Sequence, residues 1–334
     1  MDELVRLSVL LGFAAVALLV VLTAMLVWEA RRPPRHTAGW AMARGLPCDP
    51  RDVGLEFEDW WLHRPGAVRL GVWEVAAGNE PVSGESRRRR DEENKGHADA
   101  PGSAPGSAPA PGAEAGEDLT VVMVHGWGQG KVDLLSRLGL WRDLCDRMVL
   151  YDLRGHGDAE GSLSTLGCGE DEDLLALLAQ LGEAQFVLVG ISMGAVIAMA
   201  AAARNGAMRD RIAGIVAYGP YCDFHRSLRG RLAAGGYPAR PISDLAMLWF
   251  RLMGIRHRPT EDAVRRLNCP VLVVHGTEDM VSPIAHGERL EEVARDAALY
   301  RVEGAGHMDA HAVDVPGHDE AVRGFVRTLP AVGG

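Results

Sequence analysis

Excess positive charge and paired cysteines are both missing from this chain of 334 residues. Its formal net charge is −10, whereas a surface that binds nucleic-acid phosphates needs a net basic face. Nucleic acid is therefore excluded as a partner. The cysteines are odd in number and scattered without any Cys-x-x-Cys spacing, at positions 48, 145, 168, 222 and 269. Their number and spacing predict neither a disulfide framework nor a zinc site.

Large apolar residues are nearly absent from residues 78–118. This stretch contains four consecutive arginines at 87–90, an acidic patch, and repeats of alanine, proline, glycine and serine. Such a composition cannot bury enough surface to offset the entropy lost on ordering, so we predict a disordered insertion. The arginine run allows two interpretations, a solvated linker or a contact with anionic lipid headgroups.

Charged residues are absent from residues 7–28, and a helix of that length can cross a hydrocarbon core about 30 Å thick. We predict a transmembrane anchor over residues 1–30. The alternative is a cleaved secretory signal, but the preceding residues are not net basic and the apolar run is longer than is usual for a signal. Three arginines follow the run within residues 31–35, so the positive-inside rule predicts that the C-terminal bulk is cytoplasmic.

Residues 31–52 are rich in proline and arginine, and the pair Pro33-Pro34 disfavours a continuing helix, which predicts a tether. Alternation of apolar and polar residues at 55–58 and 68–72 predicts a strand hairpin that opens a domain over residues 53–330. A long structureless insertion counts against this assignment. In the alternative, the domain begins at Leu119 and the hairpin lies outside it.

From Leu119 onward, apolar strand-like runs alternate with helical patterns, which predicts a mainly parallel sheet with helices on both faces. The helical patterns cover residues 134–145, 171–181, 195–203, 284–293 and 320–329. Residues 221–264 break this rhythm with paired glycines, Pro238, Pro241 and a helical pattern at 245–253.

The pentapeptide Gly-Ile-Ser-Met-Gly at residues 190–194 lies between an apolar run and an alanine-rich stretch. This order predicts a strand, a sharp turn that carries Ser192, and a helix. The tight turn strains its central residue and requires neighbours without side chains, which glycine supplies on both sides. The Ser192 hydroxyl would then be exposed at a helix N-terminus, where developing negative charge is favoured.

Three further segments occur in a specific order around this serine. An apolar run before it ends in His125-Gly126-Trp127-Gly128, a second run after it ends in Gly276-Thr277-Glu278-Asp279, and a Gly-Ala-Gly-His turn ends at His307. Together with the stretch Asp-Leu-Arg-Gly-His-Gly at residues 152–157, they resemble the α/β-hydrolase fold family. The resemblance implies the α/β-hydrolase fold, a serine hydrolase activity, and a short cap over the active site at residues 221–264.

The resemblance implies a Ser192 nucleophile, a His307 base and an Asp279 acid, because the imidazole accepts the serine proton and a carboxylate orients the imidazole. Glu278 and Asp223 are the alternatives for the acid. The backbone N–H groups of Trp127 and Met193 would bind the oxyanion. The Trp127 side chain could also pack or wall an acyl pocket, while His125, His156 and His275 would orient loops.

The expected reaction is hydrolysis of an ester, thioester or related acyl bond through an acyl-enzyme. The expected partner is a small-molecule acyl substrate, and lipid-like molecules are among the candidates. The same machinery also fits acyl transfer or peptide cleavage, and a non-catalytic membrane scaffold is the alternative from another class. A serine triad needs no cofactor. The His-Met-Asp-Ala-His stretch at residues 307–311 lacks an accompanying His-Glu-x-x-His pattern, so we expect no metal.

Overall fold

The computed structural model describes residues 2–77, 119–182, 184–204 and 206–329, so the predicted insertion at 78–118 lies outside the described residues. Eight strands in these ranges form one sheet. Their bounds are β1 Phe57–Arg64, β2 Val68–Ala76, β3 Leu119–Val124, β4 Arg147–Tyr151, β5 Gln185–Ile191, β6 Ile212–Tyr218, β7 Val271–Gly276 and β8 Ala297–Val302.

The strand order is β1-β2-β4-β3-β5-β6-β7-β8. The six strands β3 to β8 run parallel to one another, and β2 pairs antiparallel with both β1 and β4. Val72 of β2 lies opposite Tyr151 of β4, so the opening hairpin belongs to the sheet. The alternative in which the domain begins at Leu119 is therefore wrong.

Eleven α-helices lie in the described ranges: α1 Asp2–Arg31, α2 Ala38–Met42, α3 Leu138–Trp141, α4 Glu170–Gln180, α5 Met193–Ala202, α6 Phe224–Ala234, α7 Ile242–Leu252, α8 Thr260–Val264, α9 Ala285–Val293, α10 Ala310–Val313 and α11 Val315–Arg327. Short 3-10 helices cover Pro50–Val53, Lys131–Arg137 and Arg209–Arg211.

Two predicted helices differ in extent from the observed ones. The helix expected at 134–145 is a 3-10 helix followed by the single turn of α3. The helix expected at 320–329 begins five residues earlier, at Val315. There the Asp314 side chain accepts a hydrogen bond from the Gly317 N–H, and Pro316 occupies the first turn, which is a favoured position for proline.

The sheet is buried on both faces, as a parallel sheet covered by helices requires. Alternate residues of β3 enter the two apolar clusters: Val122 and Val124 pack on one face, and Val121 and Met123 on the other. This arrangement confirms the predicted α/β-hydrolase fold. The sheet also fixes the carboxyl ends of the parallel strands along one edge, where the candidate site lies.

A third apolar cluster lies apart from the sheet and joins α1 to α6 and α7. It contains the buried residues Val27, Ala30, Leu166, Leu228, Leu232, Ala246, Phe250 and Ile255. The predicted cap region at 221–264 thus contains three helices, α6 to α8. We call α6, α7 and the last turns of α1 the cap–anchor unit.

Helix α1 is long and apolar enough to cross a membrane, and most of its length is exposed to solvent. Several side chains of residues 31–52, the segment predicted as a tether, contact the domain. The Arg35 guanidinium donates to the Ala159 carbonyl at 2.8 Å, His36 Nδ1 lies 2.9 Å from Asp133 Oδ2, and Ala41 is fully buried. The pair Pro33-Pro34 lies between the end of α1 and α2, and the polar side chains of Arg35 and His36 reach partners in distant loops.

Candidate active site

Ser192 occupies the sharp turn between β5 and α5, with a backbone φ of 53° and ψ of −112°. A positive φ is strained for a residue with a Cβ, and such strain is typical of the nucleophile turn. A Cβ added at Gly190 would collide with the Ala195 backbone, and one added at Gly194 would collide with the Val124 carbonyl oxygen. Both glycines are therefore required by close backbone approach.

His307 lies in the turn after β8 and faces Ser192. Its Nε2 lies 2.9 Å from Ser192 Oγ, and its Nδ1 lies 2.6 Å from Asp279 Oδ2. The carboxylate only accepts, so Nδ1 carries the proton and Nε2 accepts the hydrogen bond from the serine hydroxyl. The three residues that sequence reasoning named thus form one continuous hydrogen-bonded chain.

Asp279 lies in the turn after β7, and several donors surround its carboxylate. Oδ1 accepts hydrogen bonds from the N–H groups of Val281 at 2.9 Å and Ser282 at 2.7 Å, and His275 Nε2 lies 3.5 Å from Oδ2. Burial disfavours the charged form. The hydrogen bonds from His275, His307 and the Ser282 backbone outweigh it and hold the pKa of Asp279 well below its usual value. Asp279 is therefore ionised at neutral pH.

Neither alternative acid occupies this position. The Glu278 side chain is exposed, although its backbone N–H donates to the Ala305 carbonyl. Asp223 caps α6, where its carboxylate accepts a hydrogen bond from the Arg226 N–H at 2.8 Å. Gly219, after β6, instead lies beside the site. A Cβ there would lie 3.3 Å from both Asp279 Oδ2 and His307 Nδ1, so the absent side chain leaves room for their contact.

The turn at residues 125–128 lies against Ser192. A Cβ added at Gly126 would be 3.6 Å from the Cβ of Ser192. Among the described residues, the backbone N–H groups of Trp127 and Met193 donate no hydrogen bond to the protein. Trp127 follows Gly126 and Met193 follows Ser192, so these free donors are candidates for binding a developing oxyanion.

Polar side chains that sequence reasoning did not single out hold this turn in shape. Gln129 Oε1 accepts a hydrogen bond from the Gly126 N–H at 2.8 Å. The buried Lys131 ammonium lies 2.7 Å from both Asp152 Oδ2 and Asp158 Oδ2, which ties the turn to the loop after β4. Their only sequence signal is their place within glycine-rich loops.

The three histidines expected to orient loops each bond a backbone group. His125 Nδ1 donates to the Gly126 carbonyl, and its Nε2 accepts from the Leu153 N–H at 3.0 Å. His156 Nδ1 donates to the Arg154 carbonyl, and His275 Nε2 donates to the Ser282 carbonyl. Burial lowers the pKa of His125 to about 4, so its imidazole is neutral and can accept.

The Trp127 side chain connects the site to the cap–anchor unit. Its Nε1 donates to the Ala30 carbonyl of α1 at 2.8 Å, and the Arg231 guanidinium of α6 lies 4.8 Å from the ring centroid. Trp127 therefore presents a free backbone N–H beside Ser192 and an indole that bonds the end of α1.

The chemistry available here is that of an activated serine. Ser192, His307 and Asp279 have the arrangement that a nucleophile, a base and an orienting acid require, and two backbone donors belong to the neighbouring turns. Across the part of the chain that the structure describes, no group of three or more His, Cys, Asp or Glu side chains is arranged to hold a metal ion.

Comparisons with known proteins agree with this geometry. A sequence profile of the alpha/beta hydrolase family matches residues 121–324. The uncharacterized protein YqkD of Bacillus subtilis is 28% identical over 220 residues, which are 63% of this chain and 72% of that protein. The lysophosphatidylserine lipase ABHD12 of Danio rerio is 26% identical over 191 residues, which are 52% of this chain and 47% of that protein.

Among solved structures, the Pyrococcus furiosus esterase Pf2001 superposes with a TM-score of 0.63 and 17% identity, over 90% of this chain and 98% of that one. This likeness shows the shared fold. Because the family profile covers more than half of the sequence, and the sheet order and the strained turn at Ser192 agree with it, this chain belongs to the alpha/beta hydrolase family.

Proposed function

We propose that this protein is a membrane-anchored serine hydrolase that cleaves a carboxylic ester, or a related acyl bond such as a thioester. The observation that carries the proposal is the hydrogen-bonded chain from Asp279 through His307 to Ser192, with Ser192 on a strained turn. A scaffold has no use for a strained serine within 2.9 Å of an imidazole that a buried carboxylate orients.

In the first half of the proposed reaction, Ser192 Oγ attacks the substrate carbonyl carbon while its proton passes to His307 Nε2. The ionised Asp279 stabilises the imidazolium that forms and keeps the ring in the productive tautomer. The carbonyl oxygen becomes an oxyanion and accepts hydrogen bonds from the N–H groups of Trp127 and Met193. Each such donor is typically worth about 3 kcal/mol in the transition state.

Collapse of the tetrahedral intermediate breaks the bond to the leaving group, which takes the proton from His307 Nε2. A water molecule then attacks the acyl-Ser192 carbonyl, gives its proton to His307 and forms a second tetrahedral intermediate. Expulsion of Ser192 Oγ, with return of that proton, releases the carboxylic acid and restores the resting site.

A lipid-like acyl substrate is the class that we propose for this site. The relative ABHD12 is named as a lysophosphatidylserine lipase, and the solved structure Pf2001 is named as an esterase. Trp127, beside Ser192, packs against the apolar cluster of the cap–anchor unit, so the surroundings of the site on that side are mainly apolar, with the Arg231 guanidinium 4.8 Å from the Trp127 ring centroid. Such surroundings favour an acyl chain over a charged group.

The membrane location also belongs to the proposal. Residues 7–28 are uncharged and long enough to span, and Arg31 and Arg32 follow them, against Arg6 before them. This distribution supports an anchored domain on the cytoplasmic side. An active site attached to a bilayer works where apolar esters partition and their effective concentration is high.

A fluorophosphonate probe tests the nucleophile directly on the full chain in detergent micelles. We expect stoichiometric labelling at Ser192, located by peptide mass mapping, and no labelling in Ser192→Ala. Ser227→Ala is the matched control, because Ser227 is another buried serine in the cap and lies outside the hydrogen-bonded chain. Undiminished labelling of Ser192→Ala would refute the proposed function.

A further inference from the structure

Helix α7 of the cap carries two apolar stripes. The first consists of Ile242, Ala246 and Phe250, which are buried at a spacing of four residues and face the domain. The second consists of Leu245, Leu248 and Leu252, at spacings of three and four residues, which places them together on another side of the helix. Leu248 is 51% exposed and Leu252 is 77% exposed. We call this second stripe the outer face of α7.

Helix α1 packs beside α7, and Val27 and Ala30 of α1 belong to the same buried cluster as Ala246 and Phe250 of α7. Thr23, one turn earlier on α1, is buried as well. The Arg31 guanidinium also lies 3.7 Å from Met253 Sδ, just after α7. Thr23 and Val27 belong to the uncharged run that ends at residue 28. Since an α-helix rises about 1.5 Å per residue, the buried side of α1 extends about 8 Å back along that run.

This overlap fixes the depth of the cap relative to a bilayer. If residues 7–28 span the hydrocarbon core, an element that packs against Val27 lies at the boundary between headgroups and acyl chains. Helices that lie in this boundary bury an apolar face about 5–10 Å deep and carry basic residues around it. The overlap along α1 matches that depth.

Three basic side chains lie on α7 or in the residues that follow it. Arg251 lies on the helix, and Arg256 and Arg258 follow it; all three are exposed. Within the described ranges, none of them forms an ion pair with an acidic side chain. Unpaired guanidinium groups beside an apolar stripe complement anionic phosphate headgroups above acyl chains.

We propose that the outer face of α7, consisting of Leu245, Leu248 and Leu252, inserts into the surface of a bilayer that contains anionic lipids. This inference rests on the proposed membrane location of α1. The protein then contacts the membrane at two places, the span and the cap. Trp127, next to Ser192, packs against the apolar cluster of the cap. The contact between the cap and the bilayer therefore holds this part of the protein at the depth of the lipid ester bonds.

Photo-crosslinking to lipid tests the proposal on the full chain. The protein carries Ser192→Ala to prevent hydrolysis of the probe, and is placed in nanodiscs of phosphatidylcholine and phosphatidylglycerol with a diazirine in the acyl chain. We expect crosslinks, located by peptide mass mapping, in residues 7–28 and also in residues 245–253. The paired change Leu248→Glu and Leu252→Glu should lower crosslinking in 245–253 by at least about tenfold, because burial of one leucine is worth that factor.

The control variant is Val315→Glu, which places the same charge at a side chain that is 49% exposed on α11. It should leave all crosslinks unchanged. A second variant, Arg256→Glu with Arg258→Glu, should lower crosslinking in 245–253 in the discs with phosphatidylglycerol and have little effect in discs of phosphatidylcholine alone. This variant tests the proposal even if the leucine pair fails to fold.

The outcomes separate this inference from the proposed function. Crosslinks in 7–28 without any in 245–253 would overturn the inference and leave the anchor intact. If the protein is then a dimer that Leu252→Glu dissociates, the outer face is an interface between two copies. Absence of crosslinks from both regions would overturn the membrane location and this inference together, whereas fluorophosphonate labelling of Ser192 would still report the nucleophile.

Discussion

The candidate active site and the cap–anchor unit lie next to each other but are held together by different forces. Short hydrogen bonds fix the site, such as the one between His307 Nδ1 and Asp279 Oδ2 at 2.6 Å. The nucleophile turn also depends on glycines at positions where a side chain would collide with the backbone. The cap–anchor unit has its own apolar cluster around Phe250, outside the two clusters that cover the sheet. The Trp127 indole connects the two regions through its hydrogen bond to the Ala30 carbonyl.

This difference teaches how one chain can combine reactivity with access to an apolar substrate. Reacting atoms must be held to fractions of an ångström, which directional hydrogen bonds and rigid strand ends achieve. A cap over an apolar substrate must instead be able to shift, and non-directional apolar contacts allow this. Changes in the first region should therefore act on turnover, and changes in the second on stability of the cap and on access.

The largest expected effect concerns the acid. Asp279→Asn should lower kcat by about four orders of magnitude, because the imidazole loses the carboxylate that fixes its tautomer. Turnover of a short soluble ester measures this. Glu278→Gln is the adjacent control and should remain near the wild-type rate, since Glu278 is exposed. If Asp223→Asn abolishes turnover and Asp279→Asn does not, the acid that orients His307 is Asp223, after the end of β6.

The same truncation in both regions sharpens the comparison. Phe186 of β5 and Phe250 of α7 are both fully buried, and each Phe→Ala change should cost about 4 kcal/mol locally. Phe186→Ala should lower the melting temperature of the whole domain. Phe250→Ala should mainly speed amide hydrogen exchange in α6 and α7. Equal losses of global stability would show that the cap and the sheet unfold as one unit.

A smaller effect is expected from a single methyl group at the nucleophile turn. Gly194→Ala places a Cβ against the carbonyl oxygens of Val124 and His125, so it should destabilise the protein by about 3 kcal/mol and slow turnover. Gly139→Ala is the matched control, because its Cβ would meet no atom within 4 Å. Thermal unfolding in detergent compares the two variants. A Gly194→Ala melting temperature equal to that of the wild type would refute the close approach of the Val124 carbonyl to Gly194.

The effect expected to be smallest near neutral pH is a pH dependence from buried histidines. Burial lowers the pKa of His125 to about 4 and of His156 to about 3, against about 6.5 in the unfolded chain. Between these values the unfolded state binds protons that the folded state does not, so stability falls as pH drops below about 6.5.

Each histidine should contribute up to about 1.4 kcal/mol per pH unit in this window. His156→Asn can keep a donor for the Arg154 carbonyl while removing the titrating group, so it should reduce the slope of melting temperature against pH. An unchanged slope would mean that His156 is not buried in its neutral form.

The parts of the structure that were predictable from sequence depend on local patterns. The glycines around Ser192 predict the turn because only they fit it, and the apolar runs that end near Trp127, Asp279 and His307 predict strands whose carboxyl ends share one edge. The placement of these side chains near one another follows from the parallel sheet. The assignment of Asp279 over its neighbour Glu278 needed the family resemblance.

The remaining features depend on contacts between residues far apart in sequence. The bond from Trp127 to Ala30 crosses 97 positions, and so does the contact between His36 and Asp133, so no local pattern reveals either. The segment 31–52 looks like a tether because proline and arginine are typical of connectors. Its packing depends on partners such as Ala159 that only the folded sheet brings within reach.

The acyl-enzyme is the most direct test of the central claim, that Ser192 acts as a nucleophile activated by His307 and Asp279. The full chain is mixed with a nitrophenyl ester, quenched in acid within milliseconds, and digested for peptide mass mapping. We predict an acyl group on the peptide that contains Ser192, and neither this adduct nor turnover in Ser192→Ala. Wild-type turnover by Ser192→Ala, or an acyl group on another residue, would contradict the claim.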